Sequence, residues 1–188
     1  MRTKQPGESA LLLLDAVAVL LAEGIEYAVV GAMAGSVHGV VRASLDADAI
    51  MSLATQKLHD LQKRFIAAGF ETELRYGDAD DPIAAMLVLT DRHENRVDLL
   101  VGLRGLEFAA FARAVDVPFQ GETLRVIGRE DFIAMKVFAG GPQDLSDARH
   151  VIHAARDQLD LGLLRRLAEK YGGQTALSLE VLLSKAVR

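Results

Sequence analysis

The chain has 188 residues, of which 51% are hydrophobic and 25% charged, with a formal net charge of −5. This length and composition suit one folded domain with a substantial core and exclude a disordered chain. The chain has no cysteine, which excludes disulfides and thiolate metal sites, and its negative charge means that a nucleic-acid partner would need a local basic patch. A cytoplasmic location is the simplest expectation.

The first predicted element is a helix over residues 10–22, an apolar run that superficially resembles a signal peptide. Asp15 interrupts the run, and an aspartate in mid-membrane costs about 2.5–3.5 kcal/mol. The run is also too short to span a bilayer. Ser9 is expected to cap this helix and Gly24 to end it. We therefore predict a core-packed helix and no membrane partner.

The remaining elements follow from apolar periodicity, β-branched content and turn residues. Strands are predicted over 26–30, 44–53, 71–76, 84–90, 96–101, 115–119 and 123–127, and helices over 32–38, 56–68, 129–138, 144–157, 160–171 and 176–186. Strands concentrate in the first two thirds, so the sequence predicts an α+β fold. We expect a core over 1–128 and a helical part over 129–188 packed on it as one compact unit.

Two Asp-x-Asp pairs occur in the chain, and their surroundings differ. Asp78 and Asp80 lie in a loop rich in Gly, Asp and Pro, where aspartate is favoured for turn formation. Asp46 and Asp48 lie in an extended apolar segment, so alternation places both carboxylates on one face, with Leu45 and Ala47 facing away. Such neighbours repel each other, and either solvent or a cation must relieve the repulsion.

Two further features accompany this pair. Asp98 is a lone acid in an apolar strand, either a third metal ligand or an exposed acid of an edge strand. Gly31 ends a buried strand and begins a helix, where a phosphate could approach backbone amides; a tight turn is the alternative. Hard oxygen ligands of this kind suit Mg²⁺ or Mn²⁺.

The order of glycine turn, spacer, Asp-x-Asp and later lone Asp resembles the DNA polymerase beta-type nucleotidyltransferase superfamily. Within that superfamily the chain more closely resembles the AbiEii-like and related uncharacterised bacterial families. The residues that carry this resemblance are Val37-His-Gly39, Arg42-Ala-Ser44 and the segment 131–147. The resemblance spans residues 27–150. Ala32 departs from it, because the glycine is usually followed by Gly or Ser, and Gly141 and Gln143 stand where many relatives have basic residues.

The resemblance implies a nucleotidyltransferase fold with a mixed sheet flanked by helices. It also implies catalysis by Asp46, Asp48 and Asp98, which would hold Mg²⁺ or Mn²⁺ against a nucleoside triphosphate. The nucleoside monophosphate would pass to a hydroxyl of a tRNA 3′ end, a protein or a small molecule such as an aminoglycoside. A toxin with a cognate antitoxin is one implied role. The alternative is a catalytically silent nucleotide-binding or regulatory module that retains the fold.

Supporting residues for the triphosphate are Gly31, Ala32, Arg42, Ser44 and Lys136. Arg42 could bind a phosphate or lie at the surface, and Ser44 could orient Asp46 or be a simple strand serine. Lys136 could neutralise the triphosphate or extend from an apolar helix to solvent. We expect its amine to point toward the three acids and, without ligand, to bridge one of them. Two acids that follow, Asp144 and Asp147, are expected to cap a helix.

Overall fold

The structure is a computed structural model that describes residues 1–40 and 42–186. In these ranges it contains seven strands and eight α-helices. The strands are β1 Tyr27–Val29, β2 Asp46–Met51, β3 Glu71–Tyr76, β4 Ile83–Thr90, β5 Arg96–Leu103, β6 Val115–Phe119 and β7 Glu122–Val126. The helices are α1 Ser9–Ala22, α2 Gly31–Val37, α3 Leu58–Ala67, α4 Ala109–Ala112, α5 Arg129–Ala139, α6 Pro142–Ala154, α7 Leu161–Tyr171 and α8 Gly173–Ala186.

The strands form one sheet in the order β3-β4-β5-β2-β1-β7-β6. The β2–β5 and β1–β7 pairs are parallel and the other pairs are antiparallel, so the sheet is mixed. The α+β prediction with a mixed sheet is therefore confirmed. Parallel pairing of β2 with β5 sets Asp46 opposite Arg96 and Asp48 opposite Asp98.

Alternation along β2 and β5 separates a buried apolar face from a face that carries acids. Ala47, Ala49, Val97 and Leu99 are each at most 1% exposed, and helix α1 packs against both strands. Helix α3 contacts β3 and β4 at the edge of the sheet. The acids consequently point away from a rigid, fully packed layer.

The helices after Gly128 pack mainly on one another, with α5 in contact with α6, α7 and α8. Phe132, Ile133 and Val137 of α5 belong to the same buried cluster as the side chains of the sheet. The expected boundary between 1–128 and 129–188 falls at Gly128, the residue before α5. No helix in the described ranges has the length and apolar character needed to cross a bilayer.

Several local predictions were wrong. Helix α4 was not predicted, because four residues carry too little periodicity. Ser9 lies inside α1 and makes no cap; the N-cap residue is Glu8. Leu45 lies before β2 and is 86% exposed. Helix α6 begins at Pro142, since proline is favoured in the first helical turn.

Candidate active site

Three carboxylates from two parallel strands meet on the face of the sheet opposite α1. Asp48 of β2 lies directly opposite Asp98 of β5, and Asp46 precedes Asp48 by one full pleat. One oxygen from each of the three residues can be chosen so that all lie within 4.8 Å of one another. The structure thus brings together the three acids that were proposed from the sequence as one site. The distances between their oxygens are short enough for one cation to contact all three.

Ionisation of Asp48 is disfavoured within this cluster. The pKa of Asp48 is raised to about 6, first by burial and then by the charges of Asp46 and Asp98. The positive charges of Lys136 and Arg42 lower the pKa of Asp48 but do not cancel the increase. Burial and the two neighbouring acids thus both oppose ionisation of Asp48, and a cation bound at the cluster would favour its charged form.

Two neighbouring side chains orient the acids. Arg96 donates from Nε and Nη2 to the two oxygens of Asp98, at 2.7 and 2.8 Å. Ser44 Oγ donates to Asp46 Oδ1 at 2.7 Å, which is the orienting contact considered for this serine. The sequence analysis missed Arg96. The signal was present, because residues two apart on a strand share a face and can pair.

Gly31 touches the cluster through its backbone. It has φ of +62°, and a Cβ added there would lie 1.9 Å from Asp48 Oδ2. The amide of Val30 also donates to the carbonyl of Asp48 at 2.9 Å. Only glycine fits a left-handed position against a carboxylate, so the strand-to-helix turn is held close to Asp48. Ala32, which follows, is buried and offers no hydroxyl.

A pocket of about 120 Å³ opens beside Asp46. Its walls include Ser9 of α1, Ala32 and Ser36 of α2, and Arg42 and Ser44 of the segment that leads into β2. The lining combines three hydroxyls with the Arg42 guanidinium. The three hydroxyl protons are already donated to Leu45, Ala32 and Asp46, so the guanidinium is what supplies hydrogen-bond donors in this pocket next to the acidic cluster.

Lys136 and Arg42 are held by acids of α6. Lys136 Nζ lies 2.6 Å from Asp144 Oδ1 and 3.4 Å from Asp147 Oδ2. Arg42 Nε lies 3.3 Å from the same oxygen of Asp147, and Gln143 Nε2 donates to Asp147 Oδ1 at 2.8 Å. Asp147 is only 1% exposed, so these contacts compensate a buried charge.

This network corrects two expectations. The salt bridges of Lys136 go to Asp144 and Asp147 and not to the three acids, because α6 folds back on α5 and presents its own carboxylates first. Asp144 and Asp147 make no cap; the N-cap position of α6 belongs to Gly141. The role of Lys136 in nucleotide binding remains a prediction.

The structure resembles solved nucleotidyltransferase structures. An antigenic nucleotidyltransferase-like protein from Paracoccidioides brasiliensis matches with a TM-score of 0.56 and 13% identity, over 97% of this chain and 91% of that chain. The crystal structure of ANT(2'')-Ia in complex with adenylyl-2''-tobramycin matches with a TM-score of 0.57 and 13% identity, over 86% of this chain and 98% of that chain. The solution structure of the antibiotic-resistance factor ANT(2'')-Ia matches with a TM-score of 0.56 and 12% identity, over 93% of this chain and 94% of that chain.

The sequence itself matches no protein-family model and no curated protein. At 12–13% identity the structural likeness shows the fold alone. The chain therefore has a nucleotidyltransferase fold, and its activity must be argued from its own residues.

Proposed function

We propose that this chain is a metal-dependent nucleotidyltransferase that moves a nucleoside monophosphate from a nucleoside triphosphate to a hydroxyl acceptor. The observation that carries the proposal is the convergence of Asp46, Asp48 and Asp98 within 4.8 Å, against the backbone of Gly31. Three acids that gather on one face without a structural need to do so are typical of a functional site.

The acid cluster fits Mg²⁺ or Mn²⁺ as the cofactor. Its donors are carboxylate oxygens, which these hard cations prefer, and a bound cation would favour the ionised form of Asp48, which burial and the two other acids oppose. Asp46 and Asp48 would hold the ion that accompanies the triphosphate, and Asp98 would share in holding the second. Bound ions of this kind stabilise the attacking and leaving oxygens of an in-line displacement.

The reaction is a displacement at the α-phosphorus. The acceptor hydroxyl oxygen forms a bond to that phosphorus, the bond to the bridging oxygen of the β-phosphate breaks, and pyrophosphate leaves. The hydroxyl proton goes to a carboxylate of the cluster, for which Asp98 is our candidate. Arg96 keeps Asp98 in a fixed orientation through both oxygens, so the geometry of proton acceptance is set before the substrates arrive.

A small-molecule hydroxyl is the first acceptor to test, because ANT(2'')-Ia was crystallised with adenylyl-2''-tobramycin. A tRNA 3′ end and a protein hydroxyl remain predictions from the sequence resemblance. A toxin role with a cognate antitoxin rests on the same resemblance, as does closeness to AbiEii-like families.

The silent-module alternative has one observation in its favour. Both cations near Asp48, Lys136 and Arg42, already bridge acids of α6. Ala32 supplies no hydroxyl to a phosphate, so a nucleotide would be held by fewer side chains. In this alternative the chain binds a metal nucleotide and transfers nothing.

The decisive assay incubates the chain with each of the four α-³²P-labelled nucleoside triphosphates and Mn²⁺. The acceptors, supplied separately, are an aminoglycoside panel, bulk tRNA and total protein. Transfer of label, with release of pyrophosphate, is the expected result for one acceptor class. Asp48→Asn removes one acid of the cluster, and Asp80→Asn is its matched control in the exposed pair. Transfer that survives Asp48→Asn contradicts the proposed site, and nucleotide binding without any transfer selects the silent module.

A further inference from the structure

Ser9 makes two hydrogen bonds that join the acid-bearing strands at their starting points. Its Oγ donates to the carbonyl of Leu45 at 2.6 Å, and it accepts from the amide of Arg96 at 3.0 Å. Leu45 directly precedes Asp46, and Arg96 is the residue that holds Asp98 through both oxygens. One buried hydroxyl therefore contacts the backbone next to both halves of the acid cluster, and it uses its donor and an acceptor site together.

The segment before α1 fixes Ser9 in this position. The amide of Glu8 donates to Asn95 Oδ1 at 2.6 Å, and Asn95 Nδ2 donates to the carbonyl of Gln5 at 3.0 Å. Asn95 is 1% exposed and directly precedes Arg96. Residues 5–9 are thus hydrogen-bonded to the start of β5 and to the residue that precedes β2.

Ser9 has no other structural task that explains its burial. It is 5% exposed in the first turn of α1, yet it makes no cap for that helix. Its hydroxyl bonds instead to Leu45, just before β2, and to Arg96, the first residue of β5, which lie 36 and 87 residues away in sequence. A serine needed only to start a helix would bond to its own helix.

We propose that Ser9 is a positioning residue that sets the spacing between Asp46 and Asp48 on one strand and Asp98 on the other. Its effect on metal binding rests on the proposed function. Its effect on the acids themselves does not. Loss of the hydroxyl leaves the carbonyl of Leu45 and the amide of Arg96 without this partner. The first residues of β2 and β5 can then move apart.

The test compares Ser9→Ala with Thr175→Val. Thr175 is a buried hydroxyl residue of α8, so its loss is a matched control away from the strands of the acid cluster. Ser9→Thr keeps the hydroxyl and serves as the rescue variant. The first readout is the metal-free ¹H–¹⁵N spectrum, in which Ser9→Ala is expected to shift the amides of Asp48 and Asp98. Thr175→Val is expected to leave them unmoved. The amides of Asp46 and Arg96 are not counted, because they belong to the groups that bond to Ser9 and shift in either case.

The second readout is Mn²⁺ affinity by calorimetry at equal folded fraction. We expect Ser9→Ala to weaken binding by roughly 10-fold, as loss of a residue behind the metal ligands usually does, with recovery in Ser9→Thr. Unmoved amides at Asp48 and Asp98, or wild-type affinity in Ser9→Ala, would overturn the role of Ser9. If the wild type binds no Mn²⁺, the proposed function fails, and the amide shifts still decide whether Ser9 positions the acids.

Discussion

Asp46 and Asp48 lie on a central strand of the sheet, whereas Asp78 and Asp80 lie in the exposed loop between β3 and β4. In the loop, Asp78 Oδ1 accepts hydrogen bonds from the amides of Asp80 and Asp81, at 2.9 and 3.1 Å. The turn role predicted for that pair is confirmed. On the strand, the pKa of Asp48 is raised to about 6, because burial and the two other acids oppose its ionisation.

The Asp-x-Asp pattern therefore has a different role in the strand and in the loop. In a loop, free backbone amides and solvent water donate hydrogen bonds to an aspartate, so its charge is stabilised locally. A central strand uses its amides for the sheet ladder, and its side chains must find charge compensation elsewhere. From this comparison we propose that the strand pair binds a cation and the loop pair does not.

The largest expected effect is at the contact that distinguishes the strand pair. Gly31→Ala places a Cβ 1.9 Å from Asp48 Oδ2 at φ of +62°, so the turn must move. We expect a loss of several kcal/mol in the free energy of unfolding and loss of Mn²⁺ binding. Urea denaturation and calorimetry measure these quantities.

Gly24→Ala is the matched control for this prediction. Gly24 has nearly the same φ, +66°, but an added Cβ meets nothing within 4 Å. It should cost only about 1–2 kcal/mol for the left-handed backbone and leave Mn²⁺ affinity intact. Equal losses in the two variants would show that the contact with Asp48 has no special weight.

Metal binding should distinguish the two pairs directly. Asp48→Asn removes a charged ligand at nearly constant volume, so Mn²⁺ affinity should fall by at least about 100-fold. Asp80→Asn should not change it. Both are measured by titration with Mn²⁺ followed by electron paramagnetic resonance. If Asp48→Asn retained wild-type affinity, Asp48 would be a structural residue.

Stability against pH supplies a metal-free test of the raised pKa. The folded pKa of Asp48 is about 6 against 3.8 for the reference value, so the folded state binds the proton more tightly than the unfolded state. Stability from this group is fully present below about pH 4 and is lost as the pH rises through 6. The loss amounts to up to about 3 kcal/mol.

Asp48→Asn isolates this contribution, since asparagine does not titrate. The variant should gain stability relative to the wild type between pH 4 and 6, and keep that gain at pH 7 in EDTA. Denaturation midpoints at five pH values measure the difference. A difference that stays flat with pH would refute the raised pKa of Asp48.

The smallest effect is expected at Lys136. Its ammonium bridges Asp144 and Asp147 and also lowers the pKa of Asp48, so it acts on the site from outside. Lys136→Ala should weaken nucleoside triphosphate binding by about 10-fold, the usual cost of one charge-assisted contact, and Mn²⁺ binding by less. Lys63→Ala is the control, because Lys63 is exposed and pairs with Asp60 of its own helix. Equal effects on nucleotide and metal would remove Lys136 from the nucleotide site.

Sequence periodicity located the strands of the site because each is apolar on the side that packs against α1. Asp98, a polar residue in such a run, was therefore visible as a candidate. Arg96 was not predicted, because alternation along β5 predicts that it shares a face with Asp98 but does not predict that the two side chains pair. The contacts of Ser9 and of Lys136 could not be predicted, since they depend on which distant segments meet, at Leu45 for the first and at α6 for the second.

The most direct measurement is the anomalous difference map of a crystal soaked in Mn²⁺, recorded at the manganese edge. We predict a peak bounded by the carboxylates of Asp46, Asp48 and Asp98, and no peak at Asp78 and Asp80. Ions bound at the loop pair, with none among the three acids of β2 and β5, would contradict the metal-dependent transferase proposed for this chain.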